Sequence, residues 1–210
     1  MSAAIEPAPA PARLLVLACG ALVNELKAIR ELHGMIDLRI ECLPATLHLR
    51  PERIADELRR RLEHRRDQFD KVLVGYADCG SAGAIDDVCA EFDVERLRGA
   101  HCYEFFAGSA RFGRMHGDDP TAFYLTDFLA RHFDRFVMDA LGLTDHPELR
   151  DAYFGNYTRL VFLAQTDDPD LDRRAQAAAA ALGLRYERLL TGYGELSEQV
   201  VSLDPQRAVA

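Results

Sequence analysis

Short apolar runs alternate with amphipathic stretches along most of this chain. Residues 13–18 (Arg-Leu-Leu-Val-Leu-Ala) form a nearly continuous apolar run, the pattern of a strand buried on both faces, and 21–33 follows as a helix. Residues 37–43 alternate like a strand. Pro51 suits the first turn of a helix running to about residue 65, with Ile54, Leu58 and Leu62 at four-residue spacing. Strands are predicted at 71–76 and 94–97, and helices at 82–92 and 103–112. Residues 121–141 read as one longer helix carrying Phe123, Leu125, Phe128, Leu129, Phe133, Phe136, Val137 and Leu141. A short helix at 146–153, a strand at 159–164, an Ala-rich helix at 170–182 that stops before Gly183, a strand at 184–189 and a helix at 195–203 complete the pattern.

Strands alternating with helices predict an α/β fold: a mostly parallel, Rossmann-like sheet with helices on both faces. The stretch 113–156 breaks the alternation and reads as a helical insertion capping the strand ends. The expected organisation is a disordered leader at 1–12, a single α/β domain at 13–203 and a flexible tail at 204–210.

The 210 residues carry a net charge of −9, with an isoelectric point near 5.3. This balance argues against general nucleic-acid binding and against docking on an anionic membrane surface. No apolar stretch approaches the roughly 20 residues a membrane span needs. The N-terminus lacks the basic and apolar regions of a secretory signal, so the cytoplasm is the expected compartment. There, five cysteines are expected to stay reduced, to bind metal or to react rather than to form structural disulfides.

Three of those cysteines follow predicted strands: Cys19 after the first, Cys79 after the third and Cys102 after the fourth. In a parallel sheet the carboxyl ends of the strands line one edge, where ligands bind. Cys19, Cys79 and Cys102 are therefore candidate metal ligands. Thiolate and imidazole donors suit zinc, and His48, in the turn after the second strand, is a candidate fourth ligand. His101, beside Cys102, competes with it, and substrate could take the same position. Cys42, inside a strand, and Cys89, on the apolar face of a helix, read as core packing.

The loop Asp78-Cys79-Gly80-Ser81-Ala82-Gly83 joins a strand to a helix. Backbone N–H groups at such a helix start attract anions and lower a thiol pKa. Cys79 is thus also a candidate reactive thiolate, with Gly80 and Gly83 as candidate cofactor-binding positions. Glu104 is a candidate base, with helix capping as its structural alternative. Tyr193 and Glu195 lie in a glycine-containing turn on the same predicted edge and are candidate ligand contacts.

Leu17-Ala18-Cys19-Gly20-Ala21-Leu22, the Leu43-Pro44…Leu47-His48 turn, Tyr76-Ala77-Asp78-Cys79-Gly80, His101-Cys102…Gly108-Ser109 and Phe123-Tyr124-Leu125-Thr126 occur in that order. This set resembles a bacterial and archaeal family, domain of unknown function 1638. The resemblance runs from about residue 13 to 201. Many relatives have an extra cysteine or an aspartate just before the position of Cys102, where this chain has Ala100-His101. The fourth ligand therefore stays open between His48, His101 and substrate. Members of the family tend to be encoded beside corrinoid proteins and cobalamin-dependent methyltransferases. The resemblance thus implies a zinc-thiolate protein acting in, or supporting, methyl transfer in one-carbon metabolism, with a small thiol, a methyl donor or a corrinoid protein as partner. Two alternatives stand beside it: a metal-free thiol enzyme using Cys79, and a non-enzymatic binding or chaperone partner of a corrinoid protein.

Overall fold

The computed structural model describes residues 13–204; the predicted leader and all but the first residue of the predicted tail lie outside them. The described residues form two parallel sheets. The first has the order β2-β1-β3-β4, from Leu14–Cys19 (β1), Leu38–Leu43 (β2), Lys71–Gly75 (β3) and Glu95–Arg96 (β4). The second has the order β5-β6-β7, from Ala122–Leu125 (β5), Arg159–Ala164 (β6) and Arg185–Leu190 (β7). The helices are Val23–Leu32 (α1), Ile54–Arg65 (α2), Ala84–Glu91 (α3), Cys102–Ala107 (α4), Ser109–Asp118 (α5), Asp127–Arg131 (α6), Arg150–Phe154 (α7), Pro169–Leu182 (α8) and Gly194–Val201 (α9). The architecture is α/β and Rossmann-like. No helix among the described residues is long and apolar enough to cross a membrane.

The period of two along β1 explains why it is apolar throughout. Leu14, Val16 and Ala18 face one core with Leu26 and Ile29 of α1, Phe105 and Phe106 of α4, and Leu196 and Val200 of α9. Leu15, Leu17 and Cys19 face the other with Ile54, Leu58 and Leu62 of α2 and Ile85, Val88 and Cys89 of α3. Each such Leu, Ile, Val or Phe contributes about 1.5–3 kcal/mol on burial. In the second sheet, Leu160, Phe162 and Ala164 pack on Leu171, Ala175, Ala178 and Leu182 of α8. Its opposite face, Tyr124, Val161 and Leu163, meets Ala107 of α4 and Phe112 of α5.

The two sheets are joined by α4 and α9. Phe105 and Phe106 of α4 belong to the first core, and the adjacent Ala107 to the second. α9 follows β7 of the second sheet yet packs Leu196 and Val200 into the first core. Gly194 makes this crossing possible. Its φ is +47°, and a Cβ there would stand 2.5 Å from the Phe105 carbonyl oxygen and closer still to that of Phe106.

Three expectations need correction. The predicted helix at 121–141 begins as a strand: Ala-Phe-Tyr-Leu of β5 pairs in parallel with β6, and Thr126 then caps α6, its side chain accepting from the Leu129 N–H. The aromatic residues fitted a helical stripe, and the cross-strand partners that made them a strand lie some 37 residues on (Ala122 opposite Arg159). Consequently 113–156 is not an insertion over a single sheet; it contains the first strand of a second one. The predicted helix at 103–112 is two helices, because Gly108 at φ +81° turns the chain between α4 and α5.

Candidate functional site

Strand ends from both sheets converge on one small cavity. Cys19 ends β1, and Tyr76, Ala77 and Cys79 follow β3. His48 lies in the turn after β2, and Cys102 opens α4 after β4. Across from them, Thr126 follows β5 and Gln165 follows β6. All of these, together with Glu25, Phe105 and Phe106, line the same enclosure. Its volume of about 20 Å³ suits one water-sized particle.

Cys19 and His48 are in direct contact, with Sγ 3.0 Å from Nε2; which of them donates depends on the imidazole tautomer. The Ala21 N–H also donates to Cys19 Sγ, at 3.3 Å. Cys79 is held at φ +52°, a left-handed conformation that costs a non-glycine residue about 1–2 kcal/mol. The loop that imposes it is tied at both ends. Asp78 Oδ1 accepts from the Gly83 N–H at 2.9 Å and from Ser81 Oγ at 3.0 Å. The Cys79 N–H donates to the Ala100 carbonyl at 3.3 Å, which fixes this loop against the segment delivering Cys102.

Burial dominates the electrostatics. It pushes the Cys19 thiol up to about 12, against the Ala21 N–H, with the nearby Cys79 adding to the rise. It pushes Cys79 up to about 11. Cys102 is also raised, first by burial and then by Cys79 and Cys19. His48 is lowered by burial. Without a cation, the site at neutral pH is therefore three neutral thiols and a neutral imidazole. The thiols are close enough that ionising one opposes ionising the next.

These observations bear on each candidate residue. The cavity brings together Cys19, His48, Cys79 and Cys102, whereas His101 is exposed and outside its lining. The helix-start argument for a reactive Cys79 does not fit the structure, because α3 begins at Ala84 and burial raises the thiol. The Gly83 N–H is already taken by Asp78, and Gly80 is exposed at φ +79°; neither glycine lines the cavity. Glu104 caps α4: its Oε1 accepts from the N–H groups of Ala100 (2.8 Å) and His101 (3.1 Å), the structural alternative weighed for it. Glu195 accepts from the Ser109 N–H and hydroxyl, both at 2.8 Å, and so pins α9 to the start of α5. Tyr193 packs against the first core outside the cavity lining. Cys89 is buried core, and Cys42 packs half-buried against the core.

Sequence reasoning missed Glu25. It is 5% exposed, lines the cavity, and its Oε2 has no hydrogen-bond partner among the described residues. Burial pushes its carboxyl up to about 7, with Asp127 adding and Arg131 opposing. A signal was present: Glu25 lies three residues after Leu22 and four before Ile29, on the apolar stripe of its helix. Asp127, 2% exposed, was also missed. It accepts from the N–H groups of Gln165 (2.9 Å) and Thr166 (3.1 Å), while its own N–H donates to Gln165 Oε1 at 2.7 Å, tying the ends of β5 and β6. The buried hydroxyl of Tyr76 lies close enough to the Cys19 sulfur to bear on its thiol, and its ring lies 6.4 Å from that of His48.

Three thiols and an imidazole form a donor set that suits zinc. The Cys19–His48 separation of 3.0 Å is close to the ~3.5 Å that two tetrahedral ligands take around that ion. Among the described residues, no three Cys, His, Asp or Glu side chains already stand grouped to hold a metal.

Residues 42–200 match the family model described as "Protein of unknown function (DUF1638)". No curated protein and no solved structure matches the chain. The match spans most of the sequence, and the chain belongs to this family.

Proposed function

We propose that this DUF1638 protein is a zinc-thiolate protein that acts in, or supports, methyl transfer in cobalamin-linked one-carbon metabolism. The observation that carries the reading is the single cavity lined by Cys19, Cys79, Cys102 and His48, delivered by four separate strand ends. These residues would hold the ion, with His48 as the ligand a substrate thiol displaces. Zinc supplies a Lewis acid that keeps a bound thiol deprotonated at neutral pH. The chain's own contribution is to keep the thiols dry and neutral until a cation arrives, and to present them between two sheets. The expected partners are a small thiol, a methyl donor or a corrinoid protein, in a reducing compartment such as the cytoplasm.

The test is elemental analysis of anaerobically purified protein, with Cys19, Cys79 and Cys102 each changed to Ser and His48 to Ala. The expected result is about one zinc per chain, lost in each cysteine variant, with protons released on reconstitution. Wild-type protein that takes up no zinc after reconstitution refutes the reading. Transfer of the methyl group of methylcobalamin to a small thiol then separates an enzyme from an accessory module.

A further inference from the structure

The thiol cavity has room for an ion or a water and not for an organic substrate, so a ligand must reach it from outside. A second, larger cleft of about 270 Å³ lies between the turn at residues 44–46 and Phe128, His132, Arg135 and Phe136. The same two segments serve both spaces. His48 lies two residues beyond the turn, and Thr126 two residues before Phe128; both line the thiol cavity. The cleft is thus continuous along the chain with the residues of the reactive centre.

Its wall has a distinct chemistry. Phe128, His132 and Phe136 recur at four-residue spacing and pack ring against ring, tilted or edge-on. Ring centroids are 4.8 Å apart for Phe128 and His132, and 5.0 Å, edge-on, for Phe128 and Phe136. The Arg135 guanidinium lies over the Phe136 ring at 5.8 Å. Arg135 meets the Phe136 ring rather than a carboxylate, while nearby Arg131 acts on the buried carboxyls of Glu25 and Asp127. His132 is held below its ordinary value by such burial as it has, and then by Arg131, Arg135 and Arg174, of which only Arg174 is paired, with Asp170. On a chain of net charge −9, this is a local concentration of cationic groups beside aromatic faces. Guanidinium groups in such a setting recognise carboxylates and phosphates.

We propose that this cleft binds the anionic group of a small organic ligand, a carboxylate or a phosphate, with its apolar part against Phe128 and Phe136 and its other end toward the thiol cavity. Only the direction of the ligand rests on the zinc-thiolate reading; the anion site itself does not. Thr46 provides a hydroxyl on the opposite wall. The cleft volume sits just under the usual 300–1,000 Å³ of small-molecule sites, which sets the ligand at modest size.

Calorimetric titration of the full chain, kept metal-free with chelator, tests this with three probes of similar shape: benzoate, phenyl phosphate and uncharged benzyl alcohol. The expected result is that one or both anions bind at least about tenfold more tightly than the alcohol, the gain from one charge-assisted hydrogen bond. Tighter benzoate identifies a carboxylate ligand, and tighter phenyl phosphate a phosphorylated one. Arg135→Gln, on an exposed residue, should lose that preference, and Arg135→Lys should retain part of it. The proposal is overturned if the alcohol binds as well as the anions, if Arg135→Gln leaves anion binding unchanged, or if no probe binds at about 10 mM. Because the titrations contain no metal, a failed zinc assay leaves their result standing, and the converse also holds.

Discussion

Glu25 makes a stability prediction that does not depend on what the cavity binds. Burial raises its carboxyl from 4.5 to about 7 in the folded chain. The native state therefore holds a proton that the unfolded chain has released, throughout the interval between those values. Glu25's contribution to stability must fall as pH rises across that interval and level off above it, whereas the lowered His48 and His132 contribute in the opposite sense in both wild type and variant. The gap between the two values, at 1.36 kcal/mol per pH unit, is about 3 kcal/mol. The residue is 5% exposed, so little of this is lost to solvent screening. Glu25→Gln keeps the shape and removes the ionisation. Urea unfolding of metal-free wild type and variant at half-unit steps from about pH 4.5 to 8 gives the difference directly. The variant should gain on wild type by about 3 kcal/mol across the range, most steeply between pH 5 and 7. Asp127 is raised as well, chiefly by burial, but it is present in both proteins and its contribution cancels to first order. Two unfolding profiles that run parallel from pH 4.5 to 8 would refute the argument that this carboxyl is buried and unpaired.

The raised thiols and the crossing of α9 give two further tests. With Cys79 at about 11, its thiolate fraction at neutral pH is on the order of a hundredfold below that of a free cysteine. Iodoacetamide should label it correspondingly slowly in metal-free protein, with the rate rising about tenfold per pH unit; labelling at pH 7 as fast as a model peptide contradicts this. Gly194→Ala forces a Cβ against the carbonyls of Phe105 and Phe106 and should cost at least about 2 kcal/mol; an unchanged urea midpoint means α9 does not pack on α4 as described.

The first sheet was legible because its signals are local. A run such as Leu-Leu-Val-Leu-Ala-Cys of β1 has one stable outcome, a strand covered on both faces, and Ile54, Leu58 and Leu62 of α2 supply one of the covers. The rule that ligands gather at strand carboxyl ends then leads directly to the cavity lined by Cys19, His48, Cys79 and Cys102. β5 was not legible for the opposite reason. Its four residues carry aromatic and aliphatic side chains that serve a helix as well as a strand, and the deciding partner, β6, begins at Arg159. Missing that strand hid the second sheet, and with it Thr126 and Gln165 on the far wall of the cavity.

Glu104, Glu195 and Glu25 show why residue type was a weaker guide than position. The sequence drew attention to Glu104 and Glu195 because each stands in a motif-like turn, yet both carboxylates are committed to backbone N–H groups at helix starts. A carboxylate so satisfied stabilises its helix by about 0.5–2 kcal/mol and keeps little capacity for substrate. Glu25 drew none, because it lies inside an ordinary amphipathic helix. Its position on the buried stripe of α1 is costly, since a buried acceptor without a partner forfeits about 1–3 kcal/mol. The Tyr76 hydroxyl, also buried beside the thiols, lies close enough to Cys19 to bear on its thiol and so forfeits less. Glu25 Oε2, facing the cavity without a partner next to three thiols held neutral by burial, is a stability deficit at a single place. An occupant of the cavity that bonds to Glu25 would remove it, either a water or the cation proposed above. The titration of Glu25 in the presence and absence of zinc tells these occupants apart. A zinc ion in the cavity should draw the Glu25 carboxyl back toward its ordinary value and flatten the pH dependence described above, whereas a cavity that stays dry and empty leaves the slope intact.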